Sequence, residues 1–188
     1  MISFSNRFDR LLAAITDKLY KGTEAWKPGW PSVVVNSHFE KILSCEAIIA
    51  SMPSPPGFKN EGNIAVYDRD SDTVIMPDPL RFTGSKPYYA TLFHEMSHST
   101  AHESRLKRLP LPMQGTAVYM REKAKEEIIA ELSAAALCDA AGIISNTVEN
   151  HAAFIKGWMA PVMNDFVLLE RLAGEAKAAA LHILCAEL

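Results

Sequence analysis

The pentapeptide His94-Glu95-Met96-Ser97-His98 constrains this chain more than any other feature, because its chemistry requires a helix. Residues four apart in an α-helix differ by about 400° of rotation and about 6 Å along the axis, so both imidazoles share one face. On that face they can grip one metal ion, while Glu95, turned around the axis, reaches an activated water as general base. The neighbouring residues supply the helix. Pro87 suits a first turn, and Leu92, Phe93 and Met96 give a core-facing side, which predicts helix from Tyr88 to about Ala101. The competing reading is a helix whose two surface histidines pair with nearby acids.

Such a metal site needs a third protein ligand and an open position. His102, Glu126, Glu127, Glu131 and His151 are the candidates. His102 follows His94 by eight residues, about 12 Å further along a straight helix, and no glycine turn brings it back. It reads as a helix-end or core histidine. Glu127 and Glu131 stand four apart, flanked by Ile128, Ile129 and Leu132, and the sequence then turns apolar as far as Cys138. Two carboxylates facing inward among isoleucines are costly unless a cation compensates them. Glu127 is therefore assigned as third ligand. Glu131 is assigned as the acceptor that fixes the tautomer of a ligating histidine, with the exchanged assignment left open. The donor types favour Zn²⁺, and a carboxylate ligand also suits Mn²⁺.

Around this core the periodicity predicts an amphipathic helix over Phe4 to Tyr20, with Phe8, Leu11, Leu12, Ile15 and Leu19 on one side. Trp26 to Pro31 reads as a linker, dividing an N-terminal helical arm (1–31) from the main domain (32–188). A helix over Phe39 to Met52 is broken by Pro53 to Gly57. Two β-rich runs, Ile64 to Tyr67 and Thr73 to Met76, flank the turn residues Asp68 to Asp72 as a hairpin. Asp68, Asp70 and Asp72 imitate a calcium loop, but Thr73 and Pro79 stand where that loop needs Gly and Glu. A long helix is expected from about Ala117 to Ala141, ended by Gly142. Another, capped by Asn146 or Asn150, runs to Met159, and a last one from about Asn164 to Leu184. The fold class is α+β, mostly helical, with a short antiparallel β-sheet covering one side of the active-site helix and an edge strand suited to holding an extended peptide.

Composition removes other classes. A net charge of −3 excludes a polycation that coats nucleic acid. Three widely spaced cysteines, Cys45, Cys138 and Cys185, suggest neither a disulfide framework nor a cysteine-type zinc ribbon. The sequence carries no signal-peptide pattern and no apolar run of spanning length, so no membrane partner and a cytoplasmic location are expected. Arg105, Lys107, Arg108, Arg121, Lys123 and Lys125 form a local basic excess that suits either a phosphate backbone or a solvated face. His151, Tyr89 and Tyr119 are candidates to stabilise an oxyanion.

The two-helix arrangement of H-E-x-x-H and Glu-x-x-x-Glu resembles the gluzincin layout. Longer stretches, Tyr88 to His98 with His102 to Leu106, Tyr119 with Glu126 to Leu132, and His151 to Trp158, resemble the C-terminal domain of ArdC-type antirestriction proteins. That domain is the zincin-like metallopeptidase module of phage and plasmid polyvalent proteins. Ala65 to Tyr67 and Asp72 to Pro77 resemble the hairpin before its active-site helix. Lys21 to Trp30 resembles the start of the family's single-stranded-DNA-binding domain, which is abridged here. The resemblance implies a metal-dependent peptidase from a mobile-element or phage-related context, acting on peptide or protein, with Glu95 and His151 as catalytic groups in the cleft. The alternative is a non-catalytic antirestriction module that binds DNA or protein and keeps a structural or vestigial metal site.

Overall fold

In a computed structural model of the chain, residues 3–21, 38–108, 112, 114–162 and 165–186 are described. The helices are α1 (Phe4–Tyr20), α2 (Leu43–Ser51), α3 (Ser85–Ser99), α4 (Ala117–Ala140), α5 (Val148–Trp158) and α6 (Phe166–Ile183). Between α2 and α3 lie the strands β1 (Gly57–Asn60), β2 (Val66–Asp68) and β3 (Thr73–Met76).

Helix α4 is the axis on which the rest packs. Every residue from 127 to 138 is buried, so this stretch has no solvent face, and α1, α3, α5 and α6 surround it. Ala130, Ser133, Ala134 and Ala135 are small enough for neighbouring backbones to come close. Ser97 of α3 donates to Ser133 of α4 at 2.9 Å across that contact. The ends of α4 are fixed locally. Thr116 Oγ1 accepts the Tyr119 N–H at 3.0 Å, and Gly142 turns the chain at φ +78° while the Ile143 N–H reaches back to the Cys138 carbonyl at 2.8 Å. Glycine occupies that left-handed conformation without the Cβ clash of other residues.

The expected hairpin is present, antiparallel, with Val66 opposite Ile75 and Asp68 opposite Thr73. The sheet gains a strand that the sequence pattern does not signal: β1 pairs parallel with β3, giving the order β1-β3-β2 and a mixed sheet. All four β1 residues are exposed, so it lacks the alternation that marks a half-buried strand. Gly57 is required there, since a Cβ at that position would lie 2.9 Å from Thr73 Oγ1. Edge strand β2 lies beside α3. Arg105, its side chain 1% exposed, ties this corner together: it pairs with Asp72 and donates to the Ser99 carbonyl at 2.7 Å, while Tyr67 Oη donates to Asp72 at 2.7 Å.

Helix α1 has the expected bounds and buries Phe8, Leu11 and Ile15 in the common core, against α4 and α5. The linker with Trp26 and Trp30, and residues 33–36, lie outside the described residues, as does Asn164. Other boundaries differ from expectation. Helix α2 starts at Leu43, not Phe39, because Ile42 is extended and Phe39 packs edge-on against Tyr88 at 5.0 Å. Thr147, not Asn146 or Asn150, precedes α5, and Asp165 caps α6 by accepting the Leu168 N–H at 3.0 Å. Cys45 and Cys138 are buried free thiols, and Cys185 is exposed. Among the described residues no helix is long and apolar enough to cross a membrane.

Candidate metal centre

Helix α3 turns His94 and His98 toward α4, which presents Glu126, Glu127 and Glu131. The two Nε2 atoms lie 3.0 Å apart, and Glu127 Oε2 lies 3.5 Å from that of His94 and 3.8 Å from that of His98. A tetrahedral ion with ligand bonds of about 2.0–2.1 Å spaces its donors about 3.3 Å apart. The three atoms already form a triangle of that size, and could hold a metal ion with little movement.

Each donor has a partner that aims it. His94 Nδ1 lies 2.5 Å from Glu131 Oε2, and His98 Nδ1 lies 3.2 Å from Glu126 Oε1. An Nδ1–H given to a carboxylate leaves the Nε2 lone pair for a cation. The other oxygen of Glu131 meets His151 Nδ1 at 2.6 Å. Arg108 holds Glu126 through two hydrogen bonds, 2.9 and 2.6 Å, and also donates to Thr100 Oγ1 and the Ser97 carbonyl. Lys123 Nζ reaches Glu127 Oε1 at 2.9 Å. Glu95 Oε2 accepts the backbone N–H of Tyr67, on edge strand β2, at 2.8 Å.

The charges do not balance without a further cation. Glu95, Glu127 and Glu131 are buried and Glu126 nearly so, while Arg108 and Lys123 are the fixed cations paired with them. Protons make up part of the difference. Burial alone would lower His98, but its hydrogen bonds with Glu126 and Glu127 push it up to about 9. His94 is likewise raised, against its burial, by Glu131 and Glu127. At an Nε2–Nε2 distance of 3.0 Å one ring must offer a lone pair to the other, so the two share the extra proton. Burial would raise the three α4 carboxyls, yet the hydrogen bonds and charges of their neighbours win. Arg108 and His98 hold Glu126 down at about 2, His151 and His94 hold Glu131 at about 2, and Glu127 falls further still beside both histidines. This is a site where imidazolium stands in for a missing positive charge.

His94, His98, Glu127, Glu131 and Glu95 thus come together where the sequence reading expects them. His151, for which the resemblance implies a catalytic part, has a side chain 3% exposed and bonded to Glu131. Tyr89 is sealed between α3 and α2, its Oη donating to Glu46 at 2.5 Å, which removes it from the oxyanion candidates. Tyr119 is half-buried in the first turn of α4, on the face that carries Lys123 and Glu127. His102, past the end of α3, bonds Ser104 at 2.8 Å. Glu126, one of the ligand candidates in the sequence, lies instead against His98 Nδ1, on the far side of that ring from Nε2, and is held there by Arg108 of the preceding loop. The basic excess is largely consumed inside the fold: Arg105 pairs with Asp72, Arg108 with Glu126, Arg121 with Asp165, Lys123 with Glu127 and Lys125 with Glu122.

Comparison with known proteins agrees with this geometry. Residues 45–174 match the family described as zincin-like metallopeptidase. The DNA primase TraC of Escherichia coli is 34% identical over 117 residues, which are 62% of this chain and 11% of the primase. Protein y4eC of Sinorhizobium fredii is 30% identical over 135 residues, 72% of this chain and 42% of that protein. The crystal structure of the antirestriction protein ArdC from the R388 plasmid, in its Mn(II)-bound form, superposes with a TM-score of 0.63 at 28% identity, over 83% of this chain and 57% of that one. Its metal-free form gives 0.60 at 26% identity, over 81% and 55%. The chain therefore spans about a tenth of the TraC primases and little over half of ArdC.

Proposed function

The chain belongs to the zincin-like metallopeptidase family, and from that premise we propose that it is an ArdC-like, metal-dependent peptidase in which His94, His98 and Glu127 hold one divalent ion. The observation that carries the reading is the triangle of donor atoms, 3.0–3.8 Å on a side, among buried acids that Arg108 and Lys123 do not fully balance. Zinc suits two imidazoles and one carboxylate, and the Mn(II)-bound relative supports a divalent ion more generally. When bound, such an ion supplies Lewis acidity and lowers the pKa of water.

The chain's own groups do the rest. Glu95, anchored through Oε2 by the Tyr67 amide, uses its other oxygen to take a proton from the attacking water and pass it to the leaving amine. Its charge adds to the rise of both His94 and Lys123, which supports a carboxylate close to the centre. Strand β2 is an edge strand beside α3, so an extended peptide running past its outer side passes the centre, with the Tyr67 N–H already given to Glu95. Glu131 and Glu126 keep the two imidazoles in the tautomer that leaves Nε2 unprotonated, and His151 acts through Glu131 as a positioning residue. Replacing Glu95 by Gln should abolish hydrolysis of an unfolded protein substrate while metal content stays unchanged; undiminished turnover would remove Glu95 from this role.

A second reading follows from the relatives' own descriptions, an antirestriction protein and a DNA primase: a module that acts by binding, with the metal site serving structure. Salt-sensitive binding of single-stranded DNA by the Glu95→Gln protein would favour it. The internal pairing of the basic segment weighs against that surface as the contact.

A further inference from the structure

We infer that Lys123 sets how Glu127 binds its metal, and thereby which metal the centre prefers; this rests on the metal-centre reading above. The two oxygens of Glu127 are in different surroundings. Oε2 faces both imidazoles, at 3.5 and 3.8 Å. Oε1 accepts from the Lys123 ammonium at 2.9 Å. Lys123 stands one helical turn before Glu127 on α4, so the pair is held by a shared backbone. The ammonium is not free to swing away. Its side chain is 32% exposed, it lies 5.5 Å from the centre of the Trp158 ring, and the charge of Glu95 adds to its attraction.

An oxygen engaged by an ammonium has less electron density to give to a second cation, and the ammonium repels an ion that approaches it. Glu127 thus has one oxygen to offer rather than two. The consequence for metal choice follows from coordination number. Zinc is satisfied by four donors, here two imidazoles, one carboxylate oxygen and a water at the open position. Manganese prefers more oxygen donors, which a carboxylate binding through both oxygens would help to supply. Lys123 therefore tilts the centre toward zinc. With it, every donor has an orienting partner on one helix: Glu131 for His94, Glu126 for His98 and Lys123 for Glu127. Helix α4 supplies one ligand and all three partners.

The test uses Co(II) bound to the full chain, because four-coordinate Co(II) absorbs visible light far more strongly than six-coordinate Co(II). Wild type should give the intense spectrum. Lys123→Met should weaken it and raise the affinity for Mn(II) relative to Zn(II) by about tenfold. Lys123→Arg, which keeps a cationic donor, should resemble wild type. If Lys123→Met gives the wild-type spectrum and the wild-type Mn(II)-to-Zn(II) ratio, the inference falls and the metal-centre reading stands. If wild type takes up no Co(II) at all, both fall together.

Discussion

From Arg105 to Lys125 the chain is rich in positive charge, and from Glu126 to Glu131 in negative charge; the two runs adjoin in sequence and partly share helix α4. Their fates differ. Five of the six basic side chains find acids within the fold, and Arg121–Asp165 is as exposed as an ordinary surface pair, 51% and 44%. The acidic run is sunk beneath α3, where Arg108 and Lys123 do not suffice and two histidines carry part of the remainder. A charge run is informative about function only when its partners are counted. The basic one is mostly spent on acids of the same fold, two of them in the acidic run, and the acidic one still has an appetite for a cation.

The largest expected effect comes from Glu131→Ala. It strips the carboxylate from both His94 and His151 in a buried place, and should cost about 3–5 kcal/mol in denaturant unfolding of the metal-free protein. A loss below about 1 kcal/mol would mean that the buried network is not charged as described. Next is Glu126→Gln, which keeps an acceptor near His98 but loses the ion pair with Arg108. Metal affinity, read by competition with a chelating dye, should fall about 10- to 100-fold; no change would separate Glu126 from the centre.

A gentler effect is expected from pH alone. The His98 pKa is raised from 6.5 to about 9 in the folded metal-free chain, so its contribution is fully present below about pH 6.5 and is lost as pH rises through 9. The thermal midpoint of chelator-treated protein should decline over that window, and saturating divalent ion should remove the decline. A midpoint rising through the same window would reverse the sign of the account. The smallest effect belongs to the basic run. Arg121→Ala should change stability by under about 1 kcal/mol and leave metal affinity alone. A larger loss would show that this surface pair does more than an ordinary exposed one.

These two runs also mark what a single sequence discloses. His94, His98, Glu127 and Glu131 were legible because helical spacing is a local rule and both pairs obey it on segments of clear helical pattern. Glu126 was legible as a ligand candidate but not in its place, since it points about 100° away from Glu127 on its own helix. Only the packing of α3, with His98 one turn beyond His94, brings a ring within its reach. His151 was legible as important but not in role, because nothing local says that Glu131 stands between it and His94. Strand β1 escaped for a related reason: its residues are exposed, and its existence depends on β3, sixteen residues further on. Helix α1, whose bounds follow from its own apolar stripe and the Ser3 cap, was read without any such partner.

The most direct measurement is the metal content of the purified chain, after equilibration with divalent ion and removal of the excess, beside His94→Ala treated identically. The account predicts one tightly held ion per chain in the wild type and none in the variant. Wild-type protein that retains no ion, or a variant that retains just as much, would contradict it.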